Sequence, residues 1–361
     1  MSRTRRRVVG SVAGALGLAA ASGAVGLLRQ QRSISRRAGE EVAFGSLRSH
    51  AVTVVADDGV PLHVEIDDVV DAKLLGSRAF ARAASPDVTV VFVHGFCLEL
   101  DCWHFQRAAY RNLVRTVFYD QRSHGRSGRS DREHSTIDQL GRDLRAVIDA
   151  TTDGPVVLVG HSMGGMSIVA LVEQYPDLVG GKVIGAGLIS TTAGGLDVGR
   201  MLLPMLPARL GGPITSRAVR TLHRGHRAVD GVRRLGRTFA TVATDRYAFG
   251  GEVPKGYVEF VDQMLSSTPF EVVADFFPHF ATLDKFHTVE ALGAIPTSII
   301  CGTHDRLTSI GHSRKLHERI PGSRLLECDG AGHMVTFERH DQVNAELDQL
   351  ITAATTGARS R

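Results

Sequence analysis

Cysteine is scarce in this chain, four residues in 361 at positions 97, 102, 301 and 328, with no Cys-x-x-Cys pair and no Cys/His ligand spacing. That argues against a structural zinc site and rules out a disulfide scaffold. Cys301 and Cys328 each end an apolar run and read as buried thiols, whereas Cys97 and Cys102 share one loop, where a bridge stays open beside two free thiols. Acid is missing altogether before Glu40, although eight arginines fall in that stretch. With those eight set aside, 34 basic residues face 38 acidic ones from Ala38 onward, so the overall +4 hides a mildly acidic body. No basic stripe is left to track a phosphate backbone, and nucleic acid is not an expected partner.

Long hydrophobic runs are also missing, with one exception. Val8 to Leu28 carries no charge and is long enough to cross about 30 Å of hydrocarbon as a helix, although five glycines thin its apolar character. Four arginines precede it and four follow, so charge gives no orientation. Thr4-Arg5-Arg6-Arg7-Val8-Val9 resembles a twin-arginine signal, and Ala19-Ala20-Ala21 or Ser22-Gly23-Ala24 would serve as a cleavage site. Three readings stand: a retained membrane anchor, a cleaved export signal, or a helix that does not insert, including one upstream of the true start. The first two place the protein at a membrane or in the cell envelope, the cytoplasmic face included. Residues 1–39 are set apart as this segment and a polar, Arg-rich linker from Gln30 to Gly39.

Beyond it, 43% apolar and 22% charged residues are ordinary globular usage. Alternation at Val52 to Val55 and Leu62 to Ile66 across Asp57-Asp58-Gly59 predicts a hairpin. Apolar runs at Val88–Val93, Val114–Tyr119 and Val156–Gly160 predict strands buried on both sides, and Val183–Ser190, Thr297–Cys301 and Arg324–Cys328 complete the set of buried strands. Helical spacing fills the gaps, as in Ile137 to Thr151 and Met166 to Tyr175. The expected fold is α/β, a mostly parallel central sheet with helices on both faces. Residues 40–192 and 291–361 form its core, and 193–290, rich in Leu, Met, Arg and then Phe, read as a helical cap inserted over one end of the sheet.

Gly160-His161-Ser162-Met163-Gly164-Gly165 sits directly between a predicted strand and a predicted helix. A Gly-x-Ser-x-Gly there makes a sharp turn that exposes the Ser162 hydroxyl, with Gly160 and Gly164 needed where side chains would clash. A serine nucleophile needs a base and the base an orienting acid. His333, in Gly330-Ala331-Gly332-His333, follows the last predicted strand. Asp305, after Thr297–Cys301, sits where sites of parallel sheets gather, ahead of Asp329 and Asp197 as competitors. The amides of Phe96, in His94-Gly95-Phe96, and of Met163 are the candidate oxyanion hole.

These motifs resemble those of the α/β-hydrolase superfamily, in the branch with a helical cap and a His-Gly oxyanion motif, over roughly Val52 to the C-terminus. Asp120-Gln121-Arg122-Ser123-His124-Gly125-Arg126-Ser127 is similar to that branch's loop after its fourth strand, with Ser123 in place of the usual glycine. It reads as structural, with His124 a lesser candidate for touching substrate. The resemblance implies a serine hydrolase, carboxylesterase or lipase-like, acting on an ester or thioester and needing no metal or organic cofactor, and the Phe-, Leu- and Met-rich insertion together with a membrane setting points to an apolar acyl group. Carbon-carbon bond hydrolysis, peroxidase-like chemistry, acyl transfer or a non-catalytic binding role are the alternatives. A serine at the elbow disfavours epoxide opening and halide displacement, which in this superfamily use a carboxylate there.

Overall fold

A computed structural model describes residues 26, 29–37, 43–69, 88–196 and 240–359. The expected hairpin pairs β1 (Ala51–Val55) with β2 (Pro61–Asp67), and Gly59 in its turn takes a φ of 87° that a side chain would resist. Six more strands follow: β3 (Thr89–Val93), β4 (Arg115–Tyr119), β5 (Val156–His161), β6 (Val183–Ile189), β7 (Thr297–Gly302) and β8 (Arg324–Cys328). The sheet runs β1-β2-β4-β3-β5-β6-β7-β8, antiparallel at β1–β2 and β2–β4 and parallel from β4 to β8. Described helices are α1 (29–36), α2 (His104–Tyr110), α3 (Ile137–Thr151), α4 (Met163–Gln174), α5 (240–248), α6 (Lys255–Ser267), α7 (Phe270–Ala281), α8 (Ile310–Arg319), α9 (Val335–Glu338) and α10 (His340–Arg359).

The uninterrupted apolar runs of β3, β5, β6 and β7 are explained by burial on both faces, whereas β8, expected to be buried, is the edge strand of the sheet, with Arg324 and Glu327 exposed and Leu325 and Leu326 half-buried. From β3 and β5, Val90, Phe92, Val157 and Val159 pack with Trp103, Tyr110 of α2 and Leu347, Leu350 and Ile351 of α10. Their neighbours Val91, Val93, Val156 and Leu158 point the other way, onto Leu144, Val147 and Ile148 of α3, Ile168 and Leu171 of α4, and Leu316 of α8. The sheet is thus the middle layer of three.

Over 240–290 the structure has α5, α6 and α7 and no strand, as the sequence pattern led us to expect. Val272, Phe276 and Phe280 of α7 pack on Met163 and Met166 of α4 and Leu140 of α3. Val258, Val261 and Met264 of α6 join the first-face cluster. Residues 197–239, with the competitor Asp197, lie outside the described residues.

Two further expectations change, and one question left open by the sequence is answered. The stretch read as a linker is helical over 29–36, because Ile34 finds a buried place in the first-face cluster and Arg37 pairs with Asp245 of α5 through contacts of 2.5 and 3.1 Å. The expected membrane or envelope location is not carried by the structure: no helix among the described residues is long and apolar enough to cross a membrane. The run from Val8 to Leu28 lies outside the described residues apart from Gly26, and α1, which follows it, packs on the domain through Ile34. Lastly, Cys97 and Cys102 are both free and buried, so that loop holds no disulfide. Burial pushes the Cys97 thiol up to about 12 and raises Cys102 well above its ordinary value, which leaves neither as a reactive thiolate.

Candidate active site

Between the end of β5 and the start of α4 stands one residue, Ser162, with φ 53° and ψ −117°. Such a backbone costs a non-glycine residue about 1–3 kcal/mol. Its surroundings enforce it. The Ser162 amide donates to Ile189 O at 2.9 Å, and the Ser162 carbonyl accepts the Thr191 hydroxyl at 2.6 Å and the Gly165 amide at 3.0 Å. A Cβ on Gly164 would lie 2.1 Å from Val93 O, and one on Gly160 would lie 2.5 Å from the Gly164 backbone, so the two glycines are required as expected.

The loops after β7 and β8 bring Asp305 and His333 together, with Nδ1 2.9 Å from Oδ2. Asp305 Oδ1 accepts the amides of Leu307 and Thr308 at 2.8 and 3.0 Å, and Oδ2 lies 2.9 Å from the Thr308 hydroxyl. Burial pushes the Asp305 carboxyl up, but the charge and hydrogen bond of His333 and these donors outweigh it and hold it below its ordinary value. The competitor Asp329 is exposed and receives the Thr303 hydroxyl at 3.3 Å, a part of the turn. Ser162 and His333 both line a cavity of about 280 Å³, roofed by residues of α5 and α6.

The loop after β3 lies against the serine: a Cβ on Gly95 would be 3.1 Å from Ser162 Cβ. His94 anchors it. His94 Nε2 accepts the Gln121 amide at 2.8 Å, so Nδ1 carries the proton and donates to Gly95 O at 2.7 Å. Gln121 Nε2 donates back to His94 O, and Ser167 donates to Gln121 Oε1, both at 2.7 Å. The amides of Phe96 and Met163 donate to no acceptor among the described residues, which leaves both available to a ligand.

The Asp120–Ser127 stretch is structural, as the sequence suggested. Asp120 accepts the amides of Leu100 and Arg126 at 2.7 and 2.9 Å, and a Cβ on Gly125 would strike its carboxylate. Ser123, standing where the usual glycine was noted, takes φ 64°, and its hydroxyl accepts the Ser130 amide at 2.9 Å. His124 does not line the cavity. It is buried behind Phe96 and Phe276 and holds Arg122 O at 2.9 Å. Sequence reasoning missed Thr191 and Thr308, whose residue types carry no local signature, and took Gln121 only as part of its structural loop. It also passed over His161, whose Nε2 lies 3.0 Å from His333 O.

Burial lowers His94 to about 4 and His124 and His161 to about 3, so all three stay neutral in the folded chain. In the unfolded chain they take up protons near pH 6.5. Stability from these groups is therefore complete above about pH 6.5 and is lost as pH falls toward 4 and 3. A pH series of melting temperatures is expected to drop across that window, and His124→Phe to flatten the drop. An unchanged slope in that variant would show that His124 does not couple to folding.

The sequence pattern of the Alpha/beta hydrolase family matches residues 90–346. The chain belongs to this family. Among curated relatives, an uncharacterised protein of Mycobacterium tuberculosis is 27% identical over 289 residues, covering 76% of this chain and 77% of that one. A putative esterase/lipase of Haemophilus influenzae is 22% identical over 263 residues, 73% and 82% of the two chains. Among solved structures, a thermophilic esterase from Thermogutta terrifontis superposes with a TM-score of 0.63 at 21% identity, covering 85% of this chain and all of that one. The enol-lactonase of Burkholderia xenovorans gives 0.60 at 23% identity, over 83% and 100%. At these identities the likeness is one of fold, and it sets this member's sheet and helices among hydrolases.

Proposed function

We propose that this alpha/beta hydrolase cleaves a carboxylic ester, thioesters included, through an acyl-enzyme on Ser162. The observation that carries the reading is the 2.9 Å contact between Asp305 and His333 beside a serine held in a strained elbow on the same cavity. In the proposed sequence His333 takes the Ser162 hydroxyl proton as Oγ attacks the carbonyl carbon. Asp305 fixes the imidazole with its proton on Nδ1 and stabilises the imidazolium. The amides of Phe96 and Met163 receive the oxyanion. His333 then protonates the departing alcohol or thiol, and a water attacks the acyl-enzyme with His333 again as base.

The cavity wall supports a mainly apolar acyl group, through Leu98, Ala243, Val261, Leu265, Val273 and Met334. Its volume of about 280 Å³ is at the small end for ligand sites, which favours short to medium chains. The esterases among the structural neighbours support the same reaction class. The test is hydrolysis of p-nitrophenyl esters from acetate to dodecanoate, together with labelling of the chain by a fluorophosphonate. Labelling and turnover with a maximum at short or medium acyl length are expected. A folded chain that neither labels nor turns over any ester overturns the reading.

A further inference from the structure

Resting on the ester-hydrolase reading, a feature of the cavity's outer wall narrows the substrate. Asp262 of α6 is the one carboxylate among the described residues lining the cavity that also holds Ser162 and His333. It is half-buried. Its Oδ1 accepts the Thr244 hydroxyl at 3.0 Å and its Oδ2 the Thr241 hydroxyl at 2.9 Å, both from α5. No lysine, arginine or histidine among the described residues pairs with it. Burial pushes its carboxyl above the ordinary value against the pull of the two hydroxyls, and Glu259, one turn away, adds to the rise.

A carboxylate drawn out of water without a cation is costly unless its acceptor sites are filled. Two ionised oxygens offer about four acceptor directions, and the threonines occupy two of them. No further donor among the described residues reaches the remainder, and Asp262 lines the cavity. Ser266 and Thr268 add hydroxyls to the lining, and Leu98 and Met334 add apolar surface. Among the described residues the site thus has a nucleophile, an apolar stretch and a single carboxylate, an arrangement that suits an ester whose remote end carries a hydrogen-bond donor.

We propose that Asp262 is a specificity-determining residue that receives a donor group on the substrate, an ammonium or a hydroxyl, and turns away carboxylates. The alternative is a purely structural tie between α5 and α6, and the variant Asp262→Asn separates the two. Asparagine keeps an acceptor for a threonine hydroxyl and the side-chain shape while removing the charge.

The experiment compares p-nitrophenyl hexanoate with its 6-amino, 6-hydroxy and 6-carboxy analogues on the wild-type chain and Asp262→Asn, with melting temperatures alongside. In the wild type, kcat/KM for the amino or hydroxy ester is expected to exceed that for the carboxy ester by about tenfold or more, the scale of one charge-assisted hydrogen bond. In Asp262→Asn the amino-to-carboxy ratio is expected to collapse toward one, whatever the change in hexanoate turnover. Whether the amino or the hydroxy ester leads tells which donor the site takes. A ratio that survives the substitution, or an equal fall for all four esters with a lowered melting temperature, overturns the proposal. Should hexanoate not be cleaved at all, the ester reading fails by itself. Calorimetric binding of hexylammonium, hexanol and hexanoate to the wild-type chain and to Asp262→Asn still decides the role of Asp262, since equal binding of the three to the wild type overturns it.

Discussion

Ser162→Ala is expected to abolish fluorophosphonate labelling and to lower kcat by about a millionfold, the scale seen when the nucleophile of such a triad is removed. The size follows from the way the three groups act as a unit. Without Oγ there is no acyl-enzyme, and the 2.9 Å His333–Asp305 pair has no proton to take. What remains is the contribution of the Phe96 and Met163 amides and of binding, about 10³–10⁴ over water. Folding is expected to survive, since the elbow is held by backbone contacts to Ile189 and by the Thr191 hydroxyl, none of which uses Oγ. Ser162→Gly should be equally inactive and should melt higher than Ser162→Ala, because glycine adopts φ 53° without the strain. A Ser162→Ala chain that still labels, or that keeps more than about a tenth of its ester turnover, would move the nucleophile elsewhere.

The parts of the molecule legible in the sequence are those whose physics is local or periodic. The strands β3, β5 and β6 are continuous apolar runs because both faces are covered, and α3 spans the residues its spacing indicated. Ser162 was legible because the glycines around it are demanded by contacts of 2.1 and 2.5 Å, which leave a sequence mark. Asp305 and His333 were legible by their place at strand ends, and the structure sets them in contact. Three things were not legible, for distinct reasons. Thr191 and Thr308 donate their hydroxyls to backbone carbonyls 29 and 118 positions away, and nothing in their local sequence marks such a partner, while Gln121 was visible only as a member of its loop and not as the partner of His94 27 positions away. The helix at 29–36 looked like a charged linker because its docking rests on one isoleucine and one arginine rather than on a repeating stripe. Asp262 sits in an amphipathic helix where an acid reads as solvated surface, and only the fold turns it toward the cavity.

Asp305→Asn is expected to lower kcat by about 10⁴ while leaving the chain folded. Asparagine is nearly the same shape, and its oxygen can still accept the amides of Leu307 and Thr308 that now hold Oδ1 at 2.8 and 3.0 Å. Its nitrogen then faces His333 Nδ1, and two donors cannot share that contact. The imidazole must shift its proton to Nε2, the nitrogen proposed to take the proton from Ser162, and so loses its capacity as a base. The stability consequence has a definite sign. The folded carboxyl is held below its ordinary value, so the wild-type chain gains stability above about pH 3.9 and loses it as pH falls through the lowered value. That part of the acid limb should vanish in Asp305→Asn, leaving a melting curve that depends less on pH at its acid end. Asp329→Asn is the matched control, because Asp329 is exposed, its carboxylate accepts the Thr303 hydroxyl and its backbone carbonyl the Arg339 side chain. Full activity in Asp305→Asn with loss in Asp329→Asn would exchange their roles. Loss confined to Asp305→Asn, with the fold intact, ties the reaction to the proton geometry of the buried pair rather than to the carboxylate's contribution to folding.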